Sequence, residues 1–440
     1  MAIPPQLDSL NRPLGVLRLS LTARCNLACP YCLPDGREAA GVLTLPQRLA
    51  VVQAAVTLGA SSLRLTGGEP LLNPELEALI TAVQPLRHRG LREVALTSNG
   101  QLLSAERARG LRAAGLDRLT LSLDGVTGAS VARMAGLADA AAGDRALERV
   151  LQAIEHARAA GFDPSHGALK LNAVIQRDLN DDQLLPLVAL AREKGVELRL
   201  IEYMDVGNRN GWSPEAVVPA AEMLELIGRH WPLEPLGRVA CGTASRWRYR
   251  DGGGVVAVVA SVSQPFCGDC NRLRVTADGI AYTCLFADTS SGLDLKPWMT
   301  GADSQNALTE ALATLWQRRD VDVFCQVAVP PAHLQVHPGR PGKPGAHGST
   351  PIFSTRVSID GVNDMHGKVR NVRNAFDKAG KTIGCGDKVP PEYQDSAQQE
   401  LNKRGMTVKQ TDAALTPEQS RAQAAEIERK KADEQKRLDE

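Results

Sequence analysis

The stretch Val16-Leu-Arg-Leu-Ser-Leu-Thr-Ala-Arg-Cys-Asn-Leu-Ala-Cys-Pro-Tyr-Cys32 decides how the first half of this chain is read. Val16–Leu21 is a short β-rich run. It leads straight into a tight loop holding Cys25, Cys29 and Cys32. Further β-rich runs follow at Ser62–Leu65, Glu93–Leu96, Arg118–Leu123, Leu169–Val174 and Glu197–Ile201. Helix-period segments separate them, at Pro46–Leu58, Pro74–Val83, Ala105–Ala114, Arg145–Ala159 and Asp182–Lys194. Strand–helix alternation implies parallel strands joined by right-handed crossovers. Six units predict an α/β fold, an open or partial parallel β/α barrel. Barrel logic then puts the active site at the C-terminal ends of the strands. The three cysteines follow the first strand there, Gly67-Gly68-Glu69-Pro70 the second, and Thr97-Ser98-Asn99-Gly100 the third.

The remainder divides by character. Residues 208–319 carry an Arg246–Gly252 stretch rich in arginine, a strand-like Val255–Ser261, and a second cysteine group. Residues 320–440 read as an atypical tail. Its Val329–Gly348 segment is rich in Pro and Gly, as a linker is, and its charged end has too few apolar residues to bury a face. The barrel itself is expected over residues 1–207. At 440 residues, with 43% apolar and 23% charged side chains, the chain can bury a large core. A net charge of +1 gives no bulk attraction to nucleic acid or to a membrane surface. Met1–Arg12 has no apolar signal region, and no stretch approaches the roughly 20 apolar residues of a membrane helix. With no export signal, nine cysteines favour metal binding over disulfides and a cytoplasmic home.

Three thiolates at Cys25-x-x-x-Cys29-x-x-Cys32 can ligate three irons of a cubane and leave a fourth iron open. The rival is a three-cysteine zinc site completed from elsewhere. Gly-Gly-Glu-Pro alone is an ordinary strand-to-helix turn; beside the cysteine loop it gains a role, because glycines allow close backbone approach and carboxylate oxygens accept from an ammonium. Cys267-x-x-Cys270 with Cys284 implies a second cluster with its own open iron. Arg272 and Arg274 alternate on an expected strand, so both face one side. Two guanidiniums there suit a triphosphate; the alternative is a solvated strand face.

Cys25-x-x-x-Cys29-x-Tyr31-Cys32 with Gly67-Gly68-Glu69-Pro70 resembles the radical S-adenosylmethionine (SAM) signature. Together with Cys267, Cys270 and Cys284, the chain from about Leu14 to Arg318 is similar to the GTP 3′,8-cyclases, the family that begins molybdenum cofactor synthesis. That resemblance implies two 4Fe–4S clusters and SAM as cofactors. It implies conversion of GTP to (8S)-3′,8-cyclo-7,8-dihydroguanosine 5′-triphosphate. It assigns GTP contacts to Arg18, Arg64, Thr97, Lys170, Arg272 and Arg274, the last two as the catalytic pair. It assigns SAM contacts to Tyr31, Gly67, Gly68, Glu69, Ser122 and Met204. An electron donor such as flavodoxin or ferredoxin and cyclic pyranopterin monophosphate synthase, which receives the product, are the implied partners. Neither nucleic acid nor membrane is among them, and a homodimer is compatible with such a chain. The family closes in a Gly-Gly tail, whereas this chain runs on from Val321 to Asp439-Glu440, so an impaired fusion is one alternative. A peptide-modifying radical SAM enzyme with an accessory cluster is another, and a non-catalytic metal-binding regulator a third.

Overall fold

A computed structural model describes residues 6–32, 37–205, 210–287 and 289–319, and beyond them two short strands. The chain divides into two compact units, Met1–Phe324 and Cys325–Glu440.

The first unit opens with β1 (Val16–Ser20), α1 (Leu45–Thr57), β2 (Ser62–Thr66), α2 (Leu76–Ala82), β3 (Glu93–Ser98) and α3 (Ala105–Ala113). It continues with β4 (Arg118–Ser122), α4 (Gly128–Ala135), α5 (Ala140–Ala159), β5 (Leu169–Ile175), α6 (Leu184–Glu193) and β6 (Glu197–Glu202). Then come α7 (Ala220–His230), β7 (Leu233–Arg238), β8 (Ser245–Tyr249), β9 (Val255–Val259), β10 (Arg272–Val275), β11 (Ile280–Tyr282), β12 (Leu293–Asp294) and α8 (Ser304–Gln317). One sheet holds all twelve strands in the order β12-β11-β10-β1-β2-β3-β4-β5-β6-β9-β8-β7. Strands β1 to β6 are parallel, and β10 and β9 extend them in parallel at either side. Antiparallel hairpins finish both edges. Among the described residues the two edges do not pair, so the sheet is open. The strands of the second cysteine region therefore belong to the same sheet as the barrel.

Helix positions follow local chemistry. Thr44 and Gln47 form a capping box at the start of α1, and Ser104 and Asp139 cap α3 and α5 by accepting from backbone N–H groups. The helix expected over Arg145–Ala159 begins five residues earlier, and α4 was not visible in the pattern at all. Both differences have one cause. A Cβ on Gly143 would sit 1.8 Å from the Gly128 carbonyl oxygen, so these glycines are needed for α4 and α5 to touch. Glycine's poor helix propensity hides the helices whose packing requires it.

In the strands, leucines alternate with polar residues. Leu17, Leu19, Leu63, Leu65, Leu119, Leu121, Leu171, Leu198 and Leu200 are each 1% exposed or less, packed in one apolar core. Each contributes about 1.5–3 kcal/mol by leaving water. Fully covered parallel strands usually read as continuous apolar runs. Here the opposite face is polar although it is also shielded, which marks it as the wall of a site.

In the second unit Val357–Asp360 pairs antiparallel with Thr407–Gln410. The expected linker at 329–348 and the charged end lie outside the described residues.

Candidate active site

Register aligns the arginines. Arg274 on β10 pairs with Arg18 on β1, Arg18 with Arg64 on β2, Arg64 with Ala95 on β3, and Ala95 with Arg118 on β4. Paired positions share a face, so four guanidiniums stem from one row. With Arg199, Arg272 and Arg319 they line a cavity of about 270 Å³, and among the described residues no carboxylate lines it. Like charges and burial make this costly. Burial, then Arg118, holds Arg64 down to about 10; burial, then Arg272, does the same to Arg274. Arg18 is lowered by burial and then by Arg274. The Nε atoms of Arg18, Arg64 and Arg274 are buried with no hydrogen-bond partner. A polyanion in the cavity would supply both the acceptors and the counter-charge.

Cys267, Cys270 and Cys284 open on the same cavity, with Thr97 and Met204. All three thiols are unbridged. The Cys267–Cys270 turn is held from outside. Arg12 donates to the Cys267 carbonyl at 2.7 Å and Arg319 to the Cys270 carbonyl at 2.6 Å. Arg238 holds Asp269 at 2.8 Å. Burial would raise the Cys270 thiol, but Arg272 and Arg319 outweigh it and leave it below its ordinary value.

Cys25, Cys29 and Cys32 are also unbridged, and burial followed by Asp124 pushes Cys29 up to about 12. Their loop is tied to the strand ends. Gly68 N–H donates to the Thr22 carbonyl and Glu69 N–H to the Arg24 carbonyl, both at 2.8 Å. A Cβ on Gly68 would lie 2.0 Å from the Arg24 oxygen, and Gly67, at φ +151°, has its own 2.6 Å from the Thr22 oxygen. These glycines therefore let the β2 end press on the cysteine loop. Glu69 is buried and accepts from Ser98 Oγ (2.8 Å), Leu71 N–H (3.0 Å) and Asn99 N–H (2.8 Å), which joins the β2 and β3 ends. The Tyr31 hydroxyl donates to Asp124 at 2.8 Å. Tyr31, Cys29 and Ser122 share the lining of a second, smaller cavity.

Among the described residues, no three His, Cys, Asp or Glu side chains converge as ligands of a single metal ion. A cubane makes a different demand, since each thiolate takes its own iron. Two sets of three cysteines without disulfides, each in a loop beside a cavity, have the donor chemistry for that.

The structure thus brings Arg18, Arg64, Thr97, Arg272, Arg274 and Met204 to one cavity, and Tyr31 and Ser122 to the other. Lys170 stands behind the first. Its ammonium donates to Glu197 at 2.9 Å, and that carboxylate also accepts from Arg199 and Arg246. Sequence reasoning missed Arg118, Arg199, Arg319, Arg12 and Asp124. A signal for two of them exists. An arginine beside leucine recurs in β1, β2, β4, β6 and β10 (Leu17-Arg-Leu, Leu63-Arg-Leu, Arg118-Leu, Leu198-Arg-Leu, Arg272-Leu-Arg), and solvated faces do not repeat so strictly between buried leucines.

Residues 19–191 match the Radical SAM superfamily and residues 196–324 match Molybdenum Cofactor Synthesis C. The chain is 60% identical over 314 residues to a GTP 3′,8-cyclase of Synechococcus sp. strain CC9902, covering 71% of this chain and 90% of the relative. It is 45% identical over 330 residues to a GTP 3′,8-cyclase of Acidothermus cellulolyticus, covering 72% and 86%. Streptococcus suis SuiB bound to precursor peptide SuiA is similar in structure, with a TM-score of 0.52 over 72% of this chain and 68% of that one. At 14% identity that likeness is one of fold alone. The sequence relatives decide against the zinc, regulator and peptide-modifying alternatives: the chain belongs to the GTP 3′,8-cyclase family, radical SAM enzymes whose cofactors are SAM and 4Fe–4S clusters.

Proposed function

We propose that this chain converts GTP to 3′,8-cyclo-7,8-dihydroguanosine 5′-triphosphate, the first step of molybdenum cofactor biosynthesis. The observation that carries the reading is the row of buried, partnerless arginine Nε atoms facing the cavity that Cys267, Cys270 and Cys284 also line. Cys25, Cys29 and Cys32 hold one cluster, and Cys267, Cys270 and Cys284 the other. When bound, the first cluster with SAM supplies the radical that removes the C3′ hydrogen of GTP.

The protein's own part is binding, orientation and exclusion of water. Arg18, Arg64, Arg272 and Arg274 receive the triphosphate through charge-assisted bonds, with Arg118 and Arg199 adding counter-charge. Arg272 and Arg274 act on the reacting nucleotide as the catalytic pair. Thr97 contributes a hydroxyl, and Lys170 serves the nucleotide by exchanging Glu197 for phosphate. Phe266, Ile201, Val259 and Phe286 supply apolar wall between the charges, which keeps the field strong by excluding water. Gly67, Gly68, Glu69, Tyr31 and Ser122 surround SAM, and Met204, which lines the arginine-bearing cavity, contacts it from the GTP side. A low-potential donor of the flavodoxin or ferredoxin type reduces the enzyme in the cytosol, and cyclic pyranopterin monophosphate synthase takes the product.

Anaerobic incubation of the reconstituted full chain with GTP, SAM and dithionite tests this. The expected result is GTP-dependent release of 5′-deoxyadenosine together with the cyclised nucleotide. SAM cleavage with GTP returned unchanged would refute the assignment.

A further inference from the structure

Thr97 on β3 pairs with Thr120 on β4, and Thr120 with Lys170 on β5. Paired positions share a face, and both threonines line the arginine-bearing cavity. Lys170 therefore leaves its strand on the cavity side, yet it is not part of the wall. Its ammonium is drawn along the row to the next member, Glu197 on β6, at 2.9 Å.

The Glu197 carboxylate is divided between two sides. Oε1 accepts from Lys170 Nζ and from Arg199 Nε, each at 2.9 Å, and Arg199 lines the cavity. Oε2 accepts twice from Arg246 on β8, from Nε at 3.1 Å and from Nη2 at 2.9 Å. Arg199 and Arg246 are both register partners of Ala257 on β9, so one methyl side chain separates them in their row. The Glu197 and Lys170 side chains are 5% and 10% exposed, whereas Arg246 is 38% exposed and outside the cavity wall.

A carboxylate and a phosphate compete for the same charged donors. A phosphate that takes Lys170 leaves the carboxylate behind, and a buried carboxylate stripped of its cations is costly. Arg246 removes that difficulty. Its two bonds use the other oxygen, so they persist when Lys170 turns away.

We propose that Glu197 is a built-in competitor of the nucleotide's phosphates. It holds Lys170 and Arg199 in the ligand-free protein, and Arg246 retains it when a phosphate takes Lys170, so the Glu197–Arg246 pair sets how tightly a nucleoside triphosphate is held. This rests on the reading of Lys170 as a GTP contact. On that reading the product keeps its triphosphate, so the same competition assists its release.

The test measures GTP binding by equilibrium dialysis on the anaerobically reconstituted full chain, without SAM or reductant, so that no turnover intervenes. Glu197→Gln should tighten GTP roughly tenfold, even as it weakens the ligand-free fold. Arg246→Gln should weaken GTP, because it leaves Glu197 wholly to Lys170 and Arg199; in the Glu197→Gln background it should have no effect. Lys170→Met should cost more in that background than in the parent. A general field effect of the Arg246 charge would give the same loss with and without Glu197, and that result would overturn the proposal. Weaker GTP binding in Glu197→Gln would overturn it too, by making Glu197 an aid that orients Lys170. If Glu197→Gln does not fold, Lys170→Met takes its place: removing the ion that moves should shrink the loss caused by Arg246→Gln, and an undiminished loss overturns the proposal. Lys170→Met without effect in both backgrounds would instead remove the reading of Lys170 beneath it. That result is separable, because it does not involve Arg246.

Discussion

Arg18 and Arg274 are register partners on adjacent parallel strands, so two buried guanidiniums leave neighbouring backbones on the same face. Neither has an acceptor for its Nε. The arrangement opposes folding and favours an anion, and the two effects can be separated by removing one charge.

Arg274→Met should therefore stabilise the ligand-free protein while weakening GTP. Relief of repulsion and of an unpartnered donor is worth on the order of 1 kcal/mol, a rise of about 2–4 °C in melting temperature. Loss of a charge-assisted contact should cost about 1.5–3 kcal/mol in binding, roughly tenfold or more. Differential scanning calorimetry and GTP titration read the two separately. A variant that melts lower without ligand would show that Arg274 supports the fold.

Gly68→Ala should cost the first cluster and spare the second. The added methyl would meet the Arg24 carbonyl oxygen at 2.0 Å, and backbone cannot give way there without carrying the cysteine loop with it. Reconstituted protein should fall from about eight irons to about four, with SAM cleavage lost. Retention of eight irons would mean that the loop tolerates the displacement.

The six central parallel strands and five of the eight helices among the described residues (α1, α2, α3, α5 and α6) were legible because the chain writes them as alternation, with leucines facing the helices and polar residues facing the cavity; α4, α7, α8 and the edge hairpins were not. The cysteine loops and Gly67-Gly68 were legible because their spacing is local. What was not legible is whatever depends on register. Arg118 becomes a site residue only because Ala95 lies between it and Arg64. Arg12 and Arg319 become supports only because the two ends of the unit meet at one turn. The pairing of Lys170 with Glu197 is likewise a cross-strand fact, and no residue within either strand signals it.

That pair gives a pH prediction. Burial opposes the Glu197 carboxylate, but Lys170 and Arg199 outweigh it and hold its pKa at about 2. Lys170 is meanwhile lowered to about 8 by burial and Arg199. The shifts differ in sense because one carboxylate serves three cations, so the anion is favoured while each cation is crowded by the others. For Glu197 the folded value lies below the ordinary 4.5. Its contribution is complete above about pH 5 and is lost as pH falls toward 2. Glu197→Gln should destabilise the protein by about 3–5 kcal/mol at pH 7, since it leaves buried cations unpaired. It should also flatten the dependence of stability on pH between 5 and 2. Urea melts across that range measure both effects; an equal slope in the two proteins would remove Glu197 as the source.

Asp124 should show the opposite sign. Its carboxylate accepts from Tyr31 Oη and from Val174 N–H, each at 2.8 Å, yet burial outweighs both bonds and raises its pKa from 3.8 to about 6. Between those values the folded protein binds more protons than the unfolded chain does, so stability falls as pH rises through the window. Above pH 6 the ionised carboxylate is a standing cost. Asp124→Asn keeps one oxygen to accept from Val174 N–H, turns its amide N–H toward the Tyr31 hydroxyl, which then accepts, and cannot ionise. Before reconstitution, the variant should match the parent near pH 4 and exceed it above pH 6, by an amount on the order of 1–3 kcal/mol. Denaturant midpoints at pH 4, 5, 6 and 7.5 would trace the divergence. A constant difference at every pH would assign the effect to packing, and a less stable variant at pH 7.5 would mean that the charge, held between the Tyr31 hydroxyl and the Val174 amide, supports the cysteine loop it touches.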